Sequence, residues 1–105
     1  MERWILAKIV VLYEEPKHVE EFKNYYEKNH MALVKDVPNV THAEVNYVTA
    51  AMNTDKKYFL TATIAFESKE QLEDAMQSPA WAKVSEDGQN MMKFLNEPPL
   101  LLITE

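Results

Sequence analysis

The chain has 105 residues, 47% of them hydrophobic, a single glycine, no cysteine and a net charge of −6. That is the length of one domain, residues 1–105, with apolar content enough for a core. The acidic balance argues against nucleic acid and anionic membranes as partners, because their phosphates attract Lys and Arg, and the missing cysteines remove disulfides, thiolate nucleophiles and Cys-ligated metals.

No apolar run approaches the ~18 residues that a membrane helix needs. The opening M-E-R-W-I-L lacks the basic start, long apolar run and small-residue cleavage site of a signal peptide. A cytoplasmic protein is therefore expected. One glycine, Gly88, cannot supply a phosphate-cradling loop or a dinucleotide fingerprint.

Trp4–Tyr13, W-I-L-A-K-I-V-V-L-Y, is β-branched and aromatic and is closed by Glu14-Glu15-Pro16, which predicts a strand. Ile5, Ala7, Ile9 and Val11 share one face; Trp4, Leu6, Val10 and Leu12 share the other with Lys8. A strand apolar on both faces is expected at the centre of a sheet covered on both sides.

Pro16–Val37 predicts a helix, with Pro16 in its first turn and Pro38 stopping it. On a wheel of about 100° per residue, Phe22, Tyr26, His30, Leu33 and Val37 fall within roughly 40° of Val19. His30 is the anomaly, an ionisable ring inside an apolar stripe. It is either a working group or a core residue satisfied by the backbone.

Val40–Val48 alternates, with Ala43, Val45 and Tyr47 on one face and His42, Glu44 and Asn46 on the other. Tyr58–Phe66 also alternates, placing Leu60, Ala62, Ile64 and Phe66 with Tyr58, and Phe59 with Thr61, Thr63 and Ala65. The polar stretch between the two strands makes them a hairpin. Ser68-Lys69-Glu70-Gln71 has the form of a capping box. Ser78-Pro79 opens a further helix, N-cap then Pro at the first position. Along it Trp81, Val84, Gly88, Met91, Met92 and Leu95 recur at helical spacing, and Met76, Met91 and Met92 read as core. Gly88 costs a helix about 1 kcal/mol against alanine. Close approach of a backbone or a ligand would explain it, as would a tolerated surface site. Leu100–Thr104 is a last strand.

The order β-α-β-β-α-β, with right-handed crossovers, predicts an α+β, ferredoxin-like antiparallel sheet with its helices on one face. Its other face would be bare yet partly apolar, spanning roughly 400 Å². A second copy packed face to face, a homodimer, would cover it.

Candidate site residues follow from this layout. His30 suits general acid–base work or donation to a substrate oxygen. His42 is a second candidate, with Glu44 and Asn46 beside it as substrate contacts if that face looks into the space between two sheets. The alternative is an edge strand whose polar face meets water. Tyr25, Tyr26 and Trp81 could line an aromatic pocket, although Tyr26 lies on the core stripe. No metal is expected: His18, His30 and His42 fall on different elements, without an H-x-x-x-H pair. A haem on His30 has no second feature in its favour.

L-Y-E-E-P…F-K-N-Y-Y-E-K-N-H-M-A-L-V-K-D-V-P-N-V, A-T-I-A-F-E-S-K-E-Q-L-E-D-A-M-Q-S-P and D-G-Q-N-M-M-K-F together resemble the EthD family, within the dimeric α+β barrel superfamily. The resemblance covers about four-fifths of the chain and is most specific around Phe22, Tyr25, Tyr26, His30, Leu33 and Pro38 and around Phe66-Glu67-Ser68. Ala32 stands where the family pattern often has proline. The resemblance implies a homodimer of ferredoxin-like subunits with a cavity between sheet and helices, and a recurrent histidine at His30. The superfamily includes lactone isomerases, cofactor-free monooxygenases, polyketide cyclases and haem-binding members, while EthD proteins as a group have no single assigned reaction. The expectation is a homodimer that acts, without metal or cofactor, on a small aromatic or oxygenated compound. Isomerase, lyase and oxygenase chemistries all fit. A non-catalytic binding protein and a purely dimerising domain are the alternatives.

Overall fold

In the computed structural model of the chain, residues 6–105 are described. The predicted start of the first strand at Trp4 lies outside them. Within them β1 is Ala7–Glu14, β2 Val40–Tyr47, β3 Tyr58–Phe66 and β4 Leu100–Thr104. They form one antiparallel sheet in the order β2-β3-β1-β4. With the helices between them this is the expected ferredoxin-like arrangement.

The register assigns the faces. Ile9 lies opposite Ile64 and Ile103, and Val11 opposite Ala62 and Leu101. These rows, with Ala7, Tyr13, Leu60 and Phe66, point to the helices. Lys8, Val10 and Leu12 point away. Between Tyr13 and Glu14 the pairing slips, so that Leu60 and Tyr58 find partners on β1 and Phe59 finds none. Phe59 was expected beside Thr61. The bulge instead brings its ring against Phe22 and Tyr47, at centroid distances of 6.1 and 5.5 Å.

The first helix begins later than its proline suggests. The Lys17 N–H donates to the Phe94 carbonyl at 2.7 Å, so the chain is tied down before it can coil. Helix α1 is Val19–Tyr25, a π-helical turn follows at Tyr26–His30, and α2 is Met31–Val34. The Met31 N–H donates to the Tyr26 carbonyl, five residues back. The buried residues are Phe22, Tyr26, His30 and Val34, each four apart. In an α-helix a step of four overshoots a full turn by about 40°. The wide turn takes up that drift. It also moves the next core position by one residue, so Val34 is buried at 4% exposure and Leu33, expected on the stripe, is only half-buried.

Both serine caps form. Ser68 Oγ accepts from the Gln71 N–H ahead of α3, Lys69–Met76, and Ser78 Oγ accepts from the Trp81 N–H ahead of α4, Pro79–Met91. A 3₁₀ turn, Met92–Phe94, closes α4.

The buried residues make two clusters. One gathers Ile9, Val34, Ile64, Phe66, Leu72 and Val84; the other gathers Tyr13, Phe22, Tyr26, Leu60, Met91 and Phe94. Val11 and Met31 pack against both, so the seam between the clusters runs under the helices. Among the described residues nothing covers the far face of the sheet. Leu100 and Leu102 are exposed there beside half-buried Val10 and Leu12. On the helix side of the same edge strand Leu101 and Ile103 are exposed too, at 44% and 55%. Among the described residues no helix is long and apolar enough to cross a membrane.

Candidate functional site

The seam opens into a cavity of about 130 Å³ between the sheet and the helices. Its walls are mostly aliphatic, with Val11, Val34, Ala62 and Ile64 among them. The aromatic and polar contributions come from Tyr13 on β1, Tyr26 and His30 on the π turn, and Trp81, Ser85 and Gly88 on α4.

His30 closes the π turn and is 6% exposed. Among the described residues its ring makes no bond to backbone. Its Nδ1 lies 2.9 Å from Oδ2 of Asp87, which is equally buried on α4. The Tyr25 hydroxyl donates to Asp87 Oδ1 at 2.5 Å, and Asn90 Nδ2 donates to the same oxygen at 3.2 Å. Burial pushes the Asp87 carboxyl up, but the hydrogen bonds from Tyr25, His30 and Asn90 outweigh it and hold the group below its ordinary range. A carboxylate that stays ionised can only accept. Nδ1 of a neutral His30 ring must then carry the proton, which leaves the lone pair on Nε2. Among the described residues Nε2 has no hydrogen-bond partner, and His30 is part of the cavity wall.

Two phenols complete the polar lining. The Tyr13 and Tyr26 rings meet edge to face at 5.6 Å, and Tyr26 lies 5.2 Å from the His30 ring. Burial pushes both hydroxyls above the usual phenol range, and the Asp87 charge adds to this at Tyr13. Both remain protonated donors near neutrality.

Gly88 is not held to glycine by crowding. A Cβ built on it would meet nothing within 4 Å. No backbone presses on it; it borders open cavity instead.

Of the residues expected at a site, His30, Tyr26 and Trp81 stand in the cavity wall. Tyr25 stands behind it, holding Asp87 and bordering an open surface groove with Lys28 and Lys93. His42, Glu44 and Asn46 project from the opposite face of the sheet and are exposed. They bond to one another, His42 Nε2 to Glu44 Oε1 at 2.9 Å and Asn46 Nδ2 to Glu44 Oε2 at 3.0 Å. The hydrogen bond from His42, then that from Asn46, holds the Glu44 carboxyl below its ordinary range. Glu44 reaches the cavity's rim, but the sheet separates this trio from His30, so His42 does not join the His30 cluster. Among the described residues no group of three or more His, Asp or Glu side chains is placed to hold a metal ion.

Sequence reasoning passed over Asp87 and Tyr13. A signal for Asp87 was present. It sits three residues after Val84 and four before Met91, on the stripe that α4 buries. An acid in the apolar stripe of one helix is the natural partner for a histidine in the stripe of another.

The EthD domain model matches residues 14–94 of the chain. Among solved structures, an EthD family protein from Bacillus halodurans is 24% identical, with a TM-score of 0.83 over 95% of this chain and 97% of that one. A Dabb family protein with a ferredoxin-like fold from Mesorhizobium loti is 13% identical, with a TM-score of 0.73 over 95% of each chain. A dimeric ferredoxin-like protein of unknown function from Jannaschia sp. CCS1 is 15% identical, with a TM-score of 0.70 over 95% and 98%. None of the curated proteins compared with the chain matches it.

Proposed function

The chain belongs to the EthD family, and from that premise we propose that it is an enzyme in which His30 moves a proton on a small organic compound held in the cavity. The observation that carries this reading is the buried Asp87–His30 pair, with its free ring nitrogen in an apolar wall. Fixing the tautomer of a histidine and stabilising its charged form is what a general base requires. A cavity of this size and polarity suits a small aromatic or oxygenated molecule. The side chains supply acid–base chemistry of the isomerase, lyase or cofactor-free oxygenase kind, and the protein works in the cytoplasm.

The working form is a homodimer. The exposed leucines of the sheet's far face support this, as does the dimeric state of the Jannaschia relative. In such a dimer His42, Glu44 and Asn46 lie between the two sheets, across the sheet from the cavity that holds the substrate.

Ligand-observed NMR with a panel of small aromatic and carbonyl compounds tests the cavity. A hit should be lost in a Gly88→Leu variant that still folds. His30→Ala should keep the affinity and lose turnover. A variant that loses only melting temperature, with turnover found in neither protein, would return His30 to a structural role. A monomer by light scattering at micromolar concentration would end the dimer reading.

A further inference from the structure

Buried tyrosine hydroxyls nearly always find a partner, and one without a partner calls for an explanation. Tyr13 and Tyr26 are 3% and 1% exposed, yet among the described residues neither hydroxyl makes a hydrogen bond. No buried side-chain oxygen or nitrogen among those residues is sealed away without a partner, so each of these two oxygens retains open surface. Both residues belong to the cavity wall. If packing were all that mattered, phenylalanine would fill the two positions without this polar cost. The sequence uses phenylalanine at the adjoining core position, Phe22, whose ring lies 5.6 Å from Tyr13 and 5.8 Å from Tyr26.

We infer that the hydroxyls of Tyr13 and Tyr26 form a subsite for a carbonyl oxygen, so that the cavity takes a small, mostly apolar ketone-like molecule with its α-carbon toward His30. The inference rests on the proposed role of His30 for the chemical step, but not for the binding. Three polar tips, one acceptor and two donors, belong to rings that touch in sequence. The rest of the wall is mostly hydrocarbon, with Thr63, Ser85 and the rim residue Glu44 as its remaining polar members. The ligand therefore has one acceptor oxygen on an apolar body. An apolar cavity of ~150 Å³ accepts benzene, so about one six-membered ring fits here.

The step balances without any co-reactant. The Cα–H bond breaks, its proton goes to His30 Nε2, and its electron pair moves into an enolate whose oxygen is held by the two phenol O–H groups. Asp87 faces the imidazolium that results. Return of a proton, or of a deuteron after exchange with solvent, from Nε2 restores the ketone. Donors fixed where the charge develops stabilise the transition state more than the ground state.

The test uses cyclohexanone and methylenecyclohexane, which have one shape and differ in the acceptor oxygen. The readout is the ratio of their affinities, measured by NMR titration on the full chain. Tyr13→Phe and Tyr26→Phe should each shift the ratio against the ketone by about fivefold, as the loss of one hydrogen bond implies. Both variants should keep the fold, since each removes a single oxygen. His30→Ala should leave the ratio unchanged while abolishing the wild-type protein's acceleration of α-hydrogen exchange in D₂O. An unchanged ratio in both tyrosine variants, or binding of neither probe, overturns the subsite. Exchange that persists in His30→Ala overturns the base and leaves the subsite standing.

Discussion

Asp87→Asn is the sharpest perturbation of this site, because it keeps the shape and removes the charge. The carboxylate accepts three hydrogen bonds, from Tyr25, His30 and Asn90. Asparagine offers one acceptor oxygen and one NH₂, so either a donor is stranded against the NH₂ or His30 gives up its Nδ1 proton and changes tautomer, and every partner loses the charged acceptor. Hydrogen bonds to a charged group are worth about 1.5–3 kcal/mol net, and a stranded buried donor costs about 1–3. The expected loss is about 2–3 kcal/mol. Against a total stability of about 5–15 kcal/mol for a domain this small, that is a large share. It corresponds to a Tm lower by about 10–20 °C. The pH dependence gives an independent check. The folded pKa of Asp87 is depressed, so its contribution is fully present above the unfolded value near 4 and is lost as pH falls through the lower folded value. Asparagine does not titrate. Urea denaturation of both proteins across a pH series should therefore show the stability gap narrowing as pH falls below about 4. A gap under about 0.5 kcal/mol at neutral pH, or one that fails to narrow below about pH 4, would refute the claim that the native structure grips this carboxylate.

Three further outcomes follow from particular contacts. Gly88→Ala should raise stability by about 0.5–1 kcal/mol in the same denaturation assay, because helix propensity improves and nothing opposes the new methyl. Val34→Ala should cost about 1–2 kcal/mol and more than Leu33→Ala, although leucine loses more atoms, since only Val34 lies fully in the core. By NMR titration Glu44 should lose its proton below the ordinary carboxylate range, and His42→Ala should bring it back up; no change on removing His42 would contradict the bond between them.

Much of this architecture was legible in the sequence because it is written in local signals. Tyr58–Phe66 alternates from Leu60 onward, and its strand has the bounds that the sequence pattern gives, although Phe59 leaves its expected place at the bulge. Ser68 and Ser78 each precede a helix with the side chain its first turn requires. What escaped is what depends on distant contacts. Pro16 signals a helix start, but whether the chain coils there is decided by Phe94, nearly eighty residues later. Leu33 and Val34 are exchanged because a regular wheel has no place for a π turn. His30 was conspicuous as a lone polar group on an apolar stripe. Asp87 sits on the same kind of stripe, yet the run S-E-D-G-Q around it reads as a solvated surface. Tyr13 gave no sign at all, because a tyrosine at a strand's end reads as packing until its hydroxyl is found without a partner.

From Phe22 to Val34 the first helix advances twelve residues, and both ends face the core. Twelve residues of plain α-helix turn about 1200°, which misses three full turns by 120°; eleven would miss by only about 20°. The helix thus carries one residue more than its grip on the sheet demands. That surplus lies in the turn that brings Tyr26 and His30 to the cavity together. A chain shortened by one residue there could coil evenly and still bury Phe22 and Val34. What it would forfeit is a place for one of the two polar rings. At this point in the molecule, durability and chemistry are separate inheritances, and the length of the chain, rather than the identity of any side chain, divides them.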